Sequence, residues 1–569
     1  MNVLKAATIV LSLTVAVTGC ANPNRPSTET TGGPQTAAAP KRVTAAINSV
    51  PLTISSNNIT IGSTTYPGGG ELAGLVNAGL TQFDESGRVR PQLAQDVPLS
   101  DNGLWKVLPD GTMETTWRIR DNAFWHDGTP VTADDVMFTA ALMQDKELPI
   151  AGGRDWNPVA SVTASDAKTV TATWKNVYIR ANSLFSSSVT EVRPKHVLEP
   201  TYQADKMSVL SHPYWNEQHV GAGPFRVREF AVGSHVILAA NDSYVFGRPK
   251  IDEITFKFIP DLGTMIANIL AGEVELTLGR NISVQQGMEL KQHWDKGDID
   301  IGFSNWIALW PQFLGPDPEI LLNVQFRRAL LHGINRQELV DTLLSGVVPA
   351  ADVFVSPTEA VYKEIEPQIV KYSFDVRRSA QLLEGLGYIR GSDGLYRDAA
   401  GQPINLEVRT SGGDDTHEAG TFSVADYLRR IGIAANPFLI PQAQRSDLAF
   451  NQNFPGLRLW RQPNDLYQLS RFHSSEAPTA ATNYRGSNNS RYMNPEFDGF
   501  LERYMTTVSE RERVPMLGEI VRHVTENVTL LDLWHNAETI VVASRLRNVT
   551  NKKTSSGDPT WNAYDWDLR

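Results

Sequence analysis

Apolar positions along this chain recur with two periods. Met113, Thr115, Trp117 and Ile119 alternate with Glu114, Thr116, Arg118 and Arg120, and Val170, Ala172 and Trp174 alternate with Thr169, Thr171 and Thr173. A period of two sends alternate side chains to opposite faces and predicts half-buried strands. Elsewhere the period is helical. Thr132, followed three residues later by Asp135, reads as a capping box that opens a helix through Val136, Met137, Phe138 and Ala140. Val324, Phe326, Ala329, Leu330, Ile334, Leu339 and Leu343 predict a helix over 323–345, stopped by Gly346. Further helices are predicted over about 376–386, ending at Gly387, and over about 511–527, with Pro515 in the first turn or two. Thr529–Trp534 and Thr539–Ala543 are rich in β-branched residues and read as extended. No repeat of fixed period is visible. Interleaved strands and helices predict an α/β protein whose sheets are covered by helices.

The first residues follow neither period. Lys5 precedes an apolar run from Ala6 to Val17, broken by Thr8, Ser12 and Thr14, which leads to Val17-Thr18-Gly19-Cys20. A charged start, a short apolar stretch and small residues before a cleavage point make a secretory signal, here residues 1–19, too short to span a bilayer comfortably. The four residues ending at Cys20 resemble the bacterial lipobox, in which the cysteine is lipidated and becomes the new N-terminus. Residues 21–41 are rich in Pro, Ser, Thr, Gly and Ala and read as a flexible tether, with order expected from about Val43.

Composition narrows the function classes. Of 569 residues, 41% are hydrophobic and 20% charged, an ordinary globular balance with length enough for two or more domains. Cys20 is the single cysteine, so stability rests on burial without an internal disulfide. The formal charge of −11 argues against a nucleic-acid partner, which needs a basic face. After residue 20 no segment has the length of a membrane-spanning helix.

Residues 109–139, PDGTMETTWRIRDNAFWHDGTPVTADDVMFT, place a strand, an Asp127-Gly128 turn and a capped helix in sequence. This stretch resembles the signature of the large extracytoplasmic solute-binding proteins of ABC importers, the oligopeptide, dipeptide and nickel class known as family 5. GRVRPQLAQDV (87–97), Gly221-Ala222-Gly223-Pro224-Phe225, Asn241 to Ile254, Leu270 to Glu275, Val324 to Glu338 and Asn494 to Asp498 resemble further family segments in the family's order. The resemblance covers most of residues 43–545. It implies an α/β, two-lobed periplasmic-binding-protein-like fold of the class II type, with an extra subdomain on the first lobe. The first lobe would comprise 43–85, 222–300 and 530–569, the extra subdomain 86–221 and the second lobe 301–529. The chain would cross between lobes near Ile301–Trp310 and Val528–Trp534 and enclose its ligand by hinge closure.

No catalytic constellation emerges. His126-Asp127 invites a proton-relay reading, but neighbours on a turn point apart and no nucleophile accompanies them, so a structural turn is expected. Ser411-Gly412-Gly413-Asp414-Asp415 lacks both the nucleophile elbow and calcium-loop spacing and reads as a solvated loop. The 11 histidines form no zinc motif, and His212 and His219 are expected at the surface. Neither a metal nor another cofactor is expected.

The ligand-binding candidates follow from the resemblance and from the aromatic inventory. Most of the 13 tryptophans belong in cores. Trp310, at an expected crossing, and Trp460, which opens Trp-Arg-Gln-Pro-Asn-Asp (460–465), are candidate pocket residues. Peptide binders of the family place an ammonium-pairing aspartate shortly after that tryptophan. Here Arg461, Gln462 and Pro463 stand in its place and Asp465 lies two positions later. Either Asp465 serves through a shifted loop, or the ligand lacks a free amino terminus and Arg461 pairs with an acid. Arg461 also suits a plain solvated position. Asn464 belongs to the same segment. The loop Asn57–Tyr66 offers hydrogen-bonding groups, Tyr66 among them, and equally suits a surface loop. The resemblance implies a monomeric receptor, not an enzyme, which captures a peptide or similar small solute for an ABC permease and its ATPases and is held outside the cytoplasm by lipid on Cys20. A sensory or chaperone-like binding lipoprotein on the same scaffold is the alternative.

Overall fold

A computed structural model describes residues 39–51, 53–54, 67–148, 153–279, 281–412 and 414–569. The signal, Cys20, most of the tether and the loop to Tyr66 fall outside these residues.

A ten-stranded sheet organises the chain. In spatial order its strands are Ala434–Ile440, Asn405–Ser411, Leu457–Pro463, Gly297–Pro311, Leu531–Ala543, Leu276–Thr277, Arg42–Ile47, Glu253–Phe258, His235–Ala240 and Phe225–Ala231. The two longest, Gly297–Pro311 and Leu531–Ala543, lie antiparallel at the centre and join the two halves. Their ladder shifts register between Phe303 and Asn305 and again between Ile307 and Ala308. On one side the strands are parallel, Asn405–Ser411 pairing with Ala434–Ile440. On the other, Arg42–Ile47 runs parallel to Glu253–Phe258.

Each half buries its own apolar set. Leu406, Val408, Leu457 and Leu459 pack with Phe326, Leu330, Val424 and Leu428 from helices Val324–Gly333 and Asp415–Arg430. Val43, Ala45, Ile47, Leu238, Ile254 and Phe256 pack with Leu72, Leu75 and Val76. A separate four-stranded sheet, Trp105–Val107, Met113–Arg118, Thr169–Trp174 and Val159–Asp166, carries Trp117, Val170 and Trp174 in a third cluster. The fold is thus α/β and two-lobed.

The alternation at Met113–Arg118 and Thr169–Trp174 yields adjacent antiparallel strands. Helix Ala133–Gln144 begins where expected, the Thr132 backbone N–H donating to Asp135 Oδ2 at 2.9 Å. The predicted 323–345 helix is two helices, Val324–Gly333 and Arg336–Leu343. Asn335 divides them, because its side chain accepts from Glu338 N at 3.2 Å and caps a new start. The two extended segments near the C-terminus are one strand. Its polar middle stays in the ladder because Glu538 accepts from Asn305 at 2.9 Å and pairs with Lys552 at 2.8 Å.

His126 is structural. Its Nδ1 accepts from Gly221 N at 3.1 Å, so the proton sits on Nε2, which faces Gly223 O at 3.1 Å. Burial pushes its pKa down to about 4. The ring staples the Asp127-Gly128 turn to the Gly221–Gly223 turn. That second turn requires glycine: a Cβ on Gly221 would stand 2.0 Å from Val76 O, and one on Gly223 2.4 Å from Val76 C. Asp127 pairs instead with His196 at 2.7 Å. His219 corrects the surface expectation. It is buried, with Nδ1 at 3.0 Å from Tyr214 O and Nε2 at 2.9 Å from Asn77 Oδ1. His212 accepts from Tyr214 N at 3.0 Å and caps a short turn. Asp414, expected in a solvated loop, caps helix Asp415–Arg430 through His417 N at 3.1 Å.

Among the described residues no helix is long and apolar enough to cross a membrane.

Candidate functional site

Strand Leu457–Pro463 sits beside the central pair and sorts its side chains by alternation. Leu457 and Leu459 enter the apolar core, while Arg458 and Trp460 share the opposite face. In register, Arg458 lies opposite Trp310 and Trp460 opposite Ala308 on strand Gly297–Pro311. Trp460 is half-buried, and the Arg458 guanidinium carbon lies 3.7 Å from its ring centroid. Trp310 is fully buried. Its ring stacks on Phe472 at 6.0 Å and stands behind Trp460 at 6.5 Å, so in this state it supports that ring rather than presenting a surface.

Arg461 is half-buried and pairs with Ile307 in the ladder. Asn464 is buried and its amide is spent on the chain itself. Nδ2 donates to Phe303 O at 3.2 Å, and Oδ1 accepts from Ser555 N at 3.1 Å. It anchors the end of the strand to the central pair and to the C-terminal segment.

Asp465 is buried and begins the short helical turn Leu466–Phe472. Oδ1 accepts from Tyr467 N at 2.9 Å and Oδ2 from Gln468 Nε2 at 2.7 Å. Its charge partner is Arg180, with Nη1 3.7 Å from Oδ2. Arg180 follows the four-stranded sheet in sequence, and the residue before it, Ile179, packs in one buried cluster with Trp306, Trp310, Phe354 and Phe472. Burial works against the Arg180 charge, but Asp465 and then Asp155 hold its pKa above the usual arginine value.

Glu359 completes the cluster. Burial, and then the Asp465 charge, push its carboxyl up to about 8. Its Oε1 is buried without a hydrogen-bonding partner. Tyr467 is raised to about 12 by burial, with Glu510 next in weight. On the central strand, burial lifts Asp532 to about 7 even though it accepts from Trp306 Nε1 at 2.7 Å.

Of the segment read from sequence, Trp460 is backed by Trp310, Arg461 falls on the opposite face of the strand by alternation, and Asn464 and Asp465 lie at the strand's end. Tyr66 lies outside the described residues. Sequence reasoning missed Arg180 and Glu359, which reach Asp465 from far along the chain with no local motif to mark them. It also missed Arg458, although the alternation Leu457, Arg458, Leu459, Trp460 carried that signal. Among the described residues no group of three His, Cys, Asp or Glu side chains converges to hold a metal ion.

The sequence profile of the bacterial extracellular solute-binding proteins, family 5, middle region, matches residues 88–480. The chain belongs to this family, whose members bind solutes for transport rather than catalyse reactions. The oligopeptide-binding protein AppA of Bacillus subtilis is 25% identical over 476 residues, covering 82% of this chain and 81% of that one. The nickel-binding periplasmic protein of Escherichia coli is 22% identical over 494 residues, covering 84% and 86%. Among solved structures, HbpA2 of Haemophilus parasuis superposes with a TM-score of 0.75 at 18% identity, over 93% of this chain and all of that one. It shares the two-lobed fold.

Proposed function

We propose that this protein captures a peptide or peptide-like small solute between its lobes and hands it to an ABC permease. The observation that carries the reading is the charged, aromatic cluster around Trp460. Asp465 pairs with Arg180 and its charge reaches Glu359 at the end of the strand whose half-buried Trp460 carries Arg458 on its ring. Groups of both signs around an aromatic surface suit a zwitterionic chain with mixed side chains. The similarity to AppA, an oligopeptide-binding protein by name, supports it. The lobes are assigned as 43–85, 222–300 and 530–569 for the first, 86–221 for its extra subdomain and 301–529 for the second. Trp460, Arg461 and Asp465 are assigned as ligand-binding residues with Trp310 behind the indole and Asn464 anchoring the segment, and Tyr66 is a further candidate contact. The protein works as a monomer outside the cytoplasm, tethered by lipid on Cys20.

Native mass spectrometry of protein purified from its source, with identification of the released ligand, tests the solute. A released peptide supports the reading, and an oligosaccharide or a metal chelate would replace it. Cys20→Ser tests the tether: the variant is expected in the soluble fraction, and continued membrane attachment would remove the lipid anchor.

A further inference from the structure

Beyond the central pair of strands the chain leaves the sheet and comes back to its own start. Leu546 and Arg547 pair antiparallel with Leu568 and Asp567. Asn548 Nδ2 donates to Asp565 O and Asn562 Nδ2 to Asn548 O, each at 2.9 Å. Leu546, Ala563 and Trp566 are buried in the apolar cluster of strand Arg42–Ile47. Residues 548–566 are thus a loop whose base is stapled to the half of the molecule built on that strand.

The tip of the loop crosses the central pair beside its first register break. Buried Asn551 bridges both strands: its N donates to Asp300 Oδ2 at 2.8 Å, and its Nδ2 to Asp300 O at 3.2 Å and Glu538 O at 2.7 Å. Lys552 pairs with Glu538, which stands opposite Gly302 in the ladder. The approach is close enough to require that glycine, because a Cβ on Gly302 would stand 2.0 Å from Lys552 O. Lys553 N donates to Glu85 O at 2.7 Å and Asp558 N to Asp84 O at 3.2 Å, in the turn between strands Thr81–Phe83 and Val89–Pro91. Ser555 N reaches across to Asn464 Oδ1 at 3.1 Å, at the end of the strand that carries Trp460. Asn464 is itself tied to the break, through Nδ2 to Phe303 O at 3.2 Å and N to Ser304 O at 3.3 Å.

We propose that loop 548–566 is a latch on the pivot between the two halves, with the bond from Ser555 N to Asn464 as its catch. Strand Leu457–Pro463 pairs with Gly297–Pro311 from Asn305 onward, past the break. A twist at Phe303–Asn305 therefore carries that strand relative to the base of the loop. The staples at the base and at Asp84 and Glu85 keep the tip from following. The catch is one neutral hydrogen bond, weak enough to part in such a motion and strong enough to bias it. It favours the arrangement in which Ser555 meets Asn464, and so sets the share of molecules in that form. The inference goes beyond the function proposed above and holds whichever solute is carried.

The test uses the full chain with Cys20→Ser, so that introduced thiols alone take a spin label. Labels are placed through Val232→Cys and Ile389→Cys, exposed positions on the two halves. Pulsed electron resonance then reads the distribution of their separations without added solute. Ser555→Pro removes the N–H of the catch. Ser555→Ala keeps it and removes a hydroxyl that has no hydrogen-bonding partner among the described residues. Ser555→Pro is expected to lower the ratio of latched to other separations about fivefold, the worth of one net hydrogen bond. Ser555→Ala should match the parent. Melting shows that each variant folds, and Asn464→Leu, which removes the acceptor, replaces the proline variant if that one does not. The parent's distribution in the variant without a catch, or an equal shift in Ser555→Ala, overturns the proposal.

Discussion

Arg180 Nη1 lies 3.7 Å from Asp465 Oδ2, joining the region after the four-stranded sheet to the end of strand Leu457–Pro463. In the resemblance, an aspartate in this segment meets the solute's ammonium. Here the protein's own guanidinium faces it, while Ile179 plugs an aromatic cluster alongside. A solute amine that approaches Asp465 must therefore compete with Arg180.

Removing Arg180 leaves Asp465 buried without its cation. Arg180→Met is expected to cost about 2 kcal/mol, between the small worth of an exposed pair and the larger cost of breaking a buried one. On the proposed lobe assignment the pair bridges the lobes, so the variant is also expected to favour a more open form. Thermal melting reads the first effect and small-angle scattering the second. An unchanged melt with unchanged radius of gyration would deny the pair any role in closure.

Glu359 gives stability a specific pH dependence. Its pKa is raised from 4.5 to about 8, so the native state holds a proton that the unfolded chain releases. Stability is then lost as pH rises from about 4.5 to about 8 and levels off above. Glu359→Gln, which cannot titrate, should lose less stability across that window than the wild type. Melting at pH 5 and pH 8.5 measures the difference, and parallel curves for the two proteins would show that the carboxyl is not buried as described.

Buried histidines act at the acid side with opposite sign. His126 and His219 are lowered to about 4 and about 3 by burial, so the unfolded chain binds protons that the native state refuses. Their contribution is complete above about pH 6.5 and declines as pH falls toward 4. His126→Asn should lose about 1–3 kcal/mol at neutral pH through its staple to Gly221 and Gly223, and melt with a shallower acid limb. Acid titration of both proteins by circular dichroism checks the slope.

Trp460 is half-buried and Trp310 fully so, which separates their variants. Trp460→Ala should weaken solute binding roughly tenfold or more with a modest loss of stability. Trp310→Ala should cost about 3–5 kcal/mol of folding energy because it empties packed volume. Calorimetric binding alongside melting distinguishes the two. Full affinity in Trp460→Ala would dismiss that ring as a contact.

Local chemistry made much of this protein readable in its sequence. The strand alternation at Met113–Ile119, the Thr132–Asp135 cap and the Asp127-Gly128 turn depend on near neighbours, and all appear in the structure. The division of the 323–345 helix was also written locally, in the capping preference of Asn335, but a continuous apolar stripe masked it. The burial of His219 was not legible, since its partners Tyr214 and Asn77 meet it through different separations along the chain. The charge cluster is less local still. Arg180 lies 285 positions before Asp465, and only the folded chain brings them together. Arg458 shows the middle case: alternation placed it beside Trp460, but only the folded chain shows its guanidinium buried on that ring.

The register breaks at Phe303–Asn305 and Ile307–Ala308 lie in the ladder that links the two jaws, and Ile307 and Ala308 also pair with Arg461 and Trp460 on the next strand. A bulged ladder twists more readily than a regular one. On the proposed site, the bulged ladder and the strand that would grip the solute share one stretch of backbone, so an opening that twists the ladder is expected to tilt the groups that hold the guest and to couple gape with release.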